Sequence, residues 1–178
     1  MPGNIDDQQS RYIEATIKGL RIGSLYLPNG NPLGTEKFDY KLRWMGRLRD
    51  HAQAMLDDDI DFALGGDWNV APAEQDLFDP GAFLEDAIAH PKSRALWREI
   101  NYLGLTESFR AMYPDLAQAW SYFDYQRGAW EKNHGVRIDH ILLSPRSADR
   151  LTEVGIDREE RGRKQPSDHV PVWCVLDD

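Results

Sequence analysis

One cysteine, Cys174, is all the thiol this 178-residue chain carries, so no internal disulfide can form and a cystine-stapled fold is excluded. No apolar stretch, near the N-terminus or elsewhere, approaches the roughly 20 residues that span a bilayer. A soluble protein in a reducing, cytoplasmic setting is expected, with no membrane partner. Cations are in deficit as well. The 21 Lys and Arg face 30 Asp and Glu, leaving a formal charge of −9, which argues against coating nucleic acid or anionic lipid as the main task. Internal repeats, linkers and low-complexity segments are absent. What remains, 41% hydrophobic and 11% aromatic residues, suffices for the core of a single domain over 1–178.

Apolar residues alternate in "YIEATIKG" and "LRIGSLYL" on either side of Gly19, which predicts a hairpin. The turn formers of "PNGNPLG" end it. Thr35 then stands as the cap of a helix to about Leu56, with Phe38, Leu42, Met45, Leu48, Ala52 and Met55 as its buried stripe. Ile60–Leu64 reads as a buried strand that Gly65 and Gly66 deliver to Asp67. A loop-rich span leads to a second helix from Lys92 to about Leu103. "AWSYFDYQRGAW", "RIDHILLS" and "HVPVWCVL" read as strands. Strands and helices interleave without a strict repeat, which predicts a layered α/β sandwich with mixed sheets.

Three polar clusters stand at strand ends. In "GGDWNVAP", Asp67 and Asn69 share a side if the strand's alternation continues, and a carboxylate with a carboxamide suits a hard cation or a water. The alternative is a turn in which both cap their own backbone. In "VRIDHILLS", Asp139 lies on an apolar face and needs a partner, which Arg137 of the same parity can be, while His140 reads as a satisfied core histidine. In "RKQPSDHVPVW", Pro166 and Pro171 stiffen a loop bearing Asp168 and His169, a pre-set acid and base. Here Asp139 can hold the imidazole's tautomer, or the pair can be a plain Asx turn. With Tyr26 added, the set holds no Ser or Cys nucleophile and no Gly-rich phosphate cradle. It favours metal-assisted attack of water on a phosphoryl group. Arg158, Arg161, Arg163 and Lys164 precede the last cluster, either as phosphate contacts or as a solvated loop.

"YLPNG", "KFDYKLRWM", "GGDWNVAP", "FDP", "SYFDYQRGAWEKNHGVRIDHILLS" and "KQPSDHVPVW", in this order from Asp6 to Val175, resemble the exonuclease III family of DNA-repair nucleases within the endonuclease/exonuclease/phosphatase superfamily. The resemblance implies a four-layer α/β sandwich of the DNase I-like type. It also implies Mg²⁺-dependent phosphodiester hydrolysis (Mn²⁺ as substitute) in double-stranded DNA, at abasic sites and from 3′ ends in base excision repair. By motif, Tyr26 contacts the scissile phosphate, Asp67 activates water or protonates the leaving group, and Asn69 holds a phosphoryl oxygen. Asp139 orients His169, and Asp67, Asn69 and Asp168 lie at the metal. Tyr122 faces the abasic sugar, with Arg137 as a second substrate-binding residue.

The chain departs from that pattern at its start. The family's first strand ending in Asn, and a later one ending in the metal-binding Glu, have no counterpart ahead of Tyr12. An N-terminally incomplete domain is therefore expected, with weak Mg²⁺ binding, doubtful activity and an exposed sheet edge prone to self-association. Other readings stay open: a superfamily hydrolase of inositol phosphates or sphingomyelin, and a non-catalytic DNA-binding remnant.

Overall fold

The predicted hairpin forms: β1 (Tyr12–Ile17) pairs antiparallel with β2 (Leu20–Tyr26). Lys18 and Gly19 close it with φ of 50° and 88°, the left-handed pair that matches strand twist in a two-residue turn. This computed structural model describes residues 6–178.

β2 lies parallel to β3 (Phe62–Asp67), which requires a crossover, and α1 (Glu36–Asp57) supplies it. The stripe of α1 holds at Phe38, Met45, Leu48, Ala52 and Met55, but Leu42 is only half-buried; Lys41 and Trp44 go inside instead. β3 runs past its predicted end because Gly66, at φ 141°, lies against β2: a Cβ there would sit 2.0 Å from the Leu25 carbonyl oxygen. β5 (Asp139–Leu143) pairs antiparallel with β3, and the short β4 (Thr106–Glu107) closes a five-stranded mixed sheet of order β1-β2-β3-β5-β4.

On one face, α1 and α2 (Pro91–Asn101) cover the sheet, and Trp44, Leu48, Phe62, Leu64, Trp68, Trp97, Ile100 and Leu142 fill the space between. Each such side chain contributes about 1.5–3 kcal/mol of transfer free energy. On the other face, a two-stranded antiparallel sheet of β6 (Leu151–Ile156) and β7 (Val172–Leu176) meets the main sheet at β5. Sheets and helices thus layer as expected. Beyond β6–β7 the same face is bare among the described residues, leaving Ile13, Ile17 and Ile22 at 72%, 57% and 40% exposure. No described helix is long and apolar enough to cross a membrane.

Short helices α3 (Ser108–Met112) and α4 (Pro145–Asp149) flank β5. The aromatic segment is not a strand: Tyr122 makes only isolated bridges, to Val136 and to His169. Trp120 and Phe123 are core, while Tyr125 is exposed with its hydroxyl donating to the Pro166 carbonyl.

Candidate active site

Strand register assembles the centre. Tyr26 ends β2 opposite Asp67, and Asp67 ends β3 opposite Asp139, so three side chains far apart in sequence stand in one row across the sheet. A second chain pairing adds His169. Phe123 N–H donates to the Asp168 carbonyl (2.8 Å) and Val170 N–H to the Ser121 carbonyl (2.8 Å), which seats the "SDH" corner beside the start of β5.

His169 and Asp139 form a dyad. The carboxylate accepts from Nδ1 at 2.9 and 3.1 Å and from Ser121 Oγ at 2.7 Å, while that same Oγ accepts the backbone N–H groups of Ile138 and Asp139. The Ser121 hydroxyl is thus wholly engaged in fixing Asp139 and the start of β5. With Nδ1 held, Nε2 is left for the cleft. Burial works against a charged imidazole here. The hydrogen bond and charge of Asp139, with Asp67 and Asp168 behind, outweigh it and raise the His169 pKa above its usual value.

Asp67 and Asn69 come together, though not by strand alternation. β3 stops at Asp67, and Asn69 takes a left-handed φ of 46°, which Asn tolerates better than most residues. Its N–H donates to Asp67 Oδ1 and its Nδ2 to Asp67 Oδ2, both at 2.8 Å. Nδ2 also donates to the Leu27 carbonyl, and Oδ1 accepts from Asn29 Nδ2. The self-capping turn and the functional pair are thus one structure. Burial first, and the nearby Asp139 carboxylate second, push the Asp67 pKa up to about 7, against the opposing pull of His169, the Asn69 N–H and Lys41.

These groups open onto a cleft of about 760 Å³. Tyr26, Asn29, Asp67, Asn69, Asp168 and His169 line its polar side; Phe78, Phe83, Ile88, Tyr122, Val136 and Ile138 line its apolar side. Tyr26 is exposed, with the Arg11 guanidinium 4.8 Å from its ring centre. Tyr122 packs edge-on to His169, and burial, with Asp124, Asp168 and Asp67, pushes its phenol up to about 12. Asp139 is held behind His169 rather than at the cleft surface.

Arg137 is elsewhere, which corrects its expected place at the substrate. It is 1% exposed, its Nε donates to Asp76 (2.8 Å), and its Nη1 meets Glu107 (3.1 Å) and His140 Nδ1 (2.9 Å). Nor is it the partner of Asp139. Arg137 precedes β5, its N–H is drawn to the Asp76 carbonyl, and the parity counted back from Asp139 does not reach it. Burial alone would raise Glu107, yet Arg137 and His140 bring it down to about 2. His140 is the core histidine expected, with its Nε2 on the Val70 carbonyl. The basic run splits: Arg161 is buried against the Phe123 carbonyl, Arg158 stacks on Trp130, and Arg163 pairs with Glu160.

The donor chemistry bears on a metal. Asp67 and Asp139 are cross-strand neighbours and His169 bonds Asp139 alone, which leaves an excess of negative charge that a hard cation would relieve. Among the described residues, however, no three His, Cys, Asp or Glu side chains converge as a metal cage, and Asn69 Oδ1 is already engaged. The cleft fits a cation that takes one or two carboxylate oxygens, from Asp67 and Asp168, and completes its shell with phosphate and water. Ser121, Asn29 and Lys41 were missed as site residues. Ser121 and Asn29 sat inside quoted motifs as ordinary strand and turn residues, and Lys41 bore the one detectable signal, a charge inside the helix's apolar stripe.

Known proteins resemble this chain in sequence and in fold. The model of the Endonuclease/Exonuclease/phosphatase family matches residues 2–169. Exodeoxyribonuclease III of Haemophilus influenzae is 31% identical over 97% of this chain and 69% of its own length. A 3′ phosphatase from Neisseria, solved with a product DNA hairpin, superposes with TM-score 0.93 at 37% identity, over 97% of this chain and 66% of its own. An AP endonuclease from Archaeoglobus fulgidus gives TM-score 0.89 at 32% identity, over 94% and 65%. The chain thus spans about two thirds of the length of these relatives. By sequence and fold, it belongs to the endonuclease/exonuclease/phosphatase family.

Proposed function

We propose that this chain carries the catalytic cleft of a DNA-repair nuclease that hydrolyses phosphodiester bonds in duplex DNA, at abasic sites and at 3′ ends in base excision repair. The observation that carries the reading is the convergence of the His169–Asp139 dyad and the Asp67–Asn69 pair on one cleft with an apolar wall. The relatives bear on the substrate: one is named an exodeoxyribonuclease, one an AP endonuclease, and one holds product DNA.

In this reading a water attacks phosphorus, the new P–O bond forms opposite the departing 3′ oxygen, and that oxygen takes up a proton. Asp67, with a pKa of about 7, is present in both protonation states near neutrality, so it serves either as acceptor of the water's proton or as donor to the leaving oxygen. Imidazolium at His169 places positive charge where the phosphoryl oxygens gain negative charge, and Asp139 holds that cation in register. An Asn69 N–H, now on Asp67, and the Tyr26 hydroxyl are the neutral donors to the same oxygens. Tyr122 offers its ring to the exposed sugar. Mg²⁺ or Mn²⁺, held by Asp67 and Asp168, would supply Lewis-acid stabilisation of phosphoryl charge. Self-association through the bare β1–β2 face belongs to the same proposal.

The test is a substrate panel with and without Mg²⁺: an abasic-site duplex, a 3′-recessed duplex, a 3′-phosphorylated duplex, inositol phosphates and sphingomyelin. Mg²⁺-dependent cleavage confined to the DNA substrates is expected. Turnover of the small phosphates or the lipid alone would assign the cleft to another branch, and tight duplex binding without cleavage would leave a binding remnant.

A further inference from the structure

Lys41 is the one lysine sealed inside the described fold, at 0% exposure, and no carboxylate lies within hydrogen-bonding reach of it. Its Nζ donates instead to three backbone carbonyls: Asn69 at 2.6 Å, Asn29 at 3.0 Å and Ala87 at 3.3 Å. An ammonium has three donors, and all three are used. The three carbonyls belong to the loop after β2, the loop after β3 and the segment leading into α2. Each of these loops sends a side chain to the cleft: Asn29, Asn69 and Ile88.

Side-chain bonds knit the same loops together around the lysine. Asn29 Nδ2 donates to Asn69 Oδ1, Asn31 Nδ2 donates to Asp86, and the Ala87 N–H donates to Asn31 Oδ1. Room for the lysine stem depends on Gly30, at φ 90°, where a Cβ would come within 2.6 Å of Lys41 Cδ. Burial works against charge on this lysine, and Asp86 and Asp67 support it only through space, without a direct ion pair; that is a poor route to stability, since an apolar side chain of similar volume avoids the desolvation. Its place at the hub of three cleft loops calls for a geometric role.

We infer that Lys41 is a positioning residue: by capturing the Asn69 carbonyl together with those of Asn29 and Ala87, it fixes the left-handed turn that aims the Asn69 amide at Asp67 and the cleft. The inference rests on the proposed nuclease reading for its consequence in catalysis, and on the geometry alone for the turn itself.

Lys41→Met keeps the stem and removes the three donors. Two readouts are taken at a temperature where the variant is folded. The first is cleavage of the duplex substrate under Mg²⁺, where kcat per folded molecule, with the folded fraction taken from circular dichroism, should fall at least 30-fold with KM within threefold. The second is the ¹⁵N-resolved side-chain amide of Asn69, whose resonances should shift and lose their protection from exchange. Lys41→Arg, which restores donors to the carbonyls, should recover part of both. A folded Lys41→Met with kcat within threefold of wild type, or with Asn69 amide resonances unmoved, overturns the inference. Should Lys41→Met fail to fold, Lys41→Gln takes the same readings under the same criteria. If the wild type cleaves none of the DNA substrates, the function reading fails, and the Asn69 resonances alone decide the positioning.

Discussion

Replacing Asp139 with Asn probes the cleft where it is most tightly coupled, because one carboxylate acts on two neighbours. Asp139 accepts from His169 Nδ1 at 2.9 and 3.1 Å and stands opposite Asp67 in the β3–β5 register. The substitution keeps the volume and removes the charge. His169 then loses the anion that stabilises its imidazolium, so its pKa falls; Asp67 loses the anion that repels its own, so its pKa also falls from about 7. A charge-assisted hydrogen bond contributes about 1.5–3 kcal/mol. At 1.4 kcal/mol per tenfold in rate, cleavage of a DNA duplex should slow roughly 10- to 100-fold. Imidazole resonances followed through a pH titration, alongside the pH–rate profile, give both quantities. The reasoning is refuted by a rate within threefold of wild type, or by a His169 midpoint that stays put or rises.

Further consequences are open to direct measurement. Because Asp67 binds its proton more tightly in the folded state than its ordinary value of 3.8 allows, the native chain holds the extra proton between about pH 4 and 7, and its stability declines as pH rises through that window. Asp67→Asn should therefore raise unfolding free energy by about 1–2 kcal/mol at pH 8 and change it little at pH 4; denaturant midpoints at the two pH values check this. Arg137→Met leaves Asp76 and Glu107 buried without their shared cation, so it should cost about 3–5 kcal/mol and lower the melting temperature by roughly 10 °C or more, read by calorimetry. Gly66→Ala drives a methyl into the Leu25 carbonyl and should weaken the β2–β3 pairing enough to collapse soluble yield; a well-folded variant would contradict that register. Ile13→Thr with Ile17→Thr should shift the chain toward monomer in light scattering, if the bare face drives association.

The sequence made the hairpin, both long helices, β3, β5 and β7 legible because period-2 and period-3.6 patterns and turn residues were strong there. β6 and the two-residue β4 escaped. The first alternates only weakly, and the second is too short to carry a period. The aromatic segment misled because Trp120 and Phe123 are apolar for burial against Val170 and Trp130, not for pairing in a sheet. At the site, residues at strand ends could be read from motif and position. The self-capping turn of Asp67 and Asn69 was legible too, but its contact with Lys41 was not, since that side chain reaches the Asn69 carbonyl from a helix 28 positions away. Arg137 went wrong through distance as well: its partners, Asp76 and Glu107, are 61 and 30 positions away and no local pattern names them.

The most direct test of the cleft's role compares wild type with Asp67→Asn on one abasic-site duplex in Mg²⁺, measuring binding and strand cleavage in the same samples. Duplex affinity should hold within a few-fold while cleavage drops at least a thousandfold, because the group proposed to move the proton has gone. Cleavage that survives the substitution would place the chemistry outside the Asp67–His169 cleft.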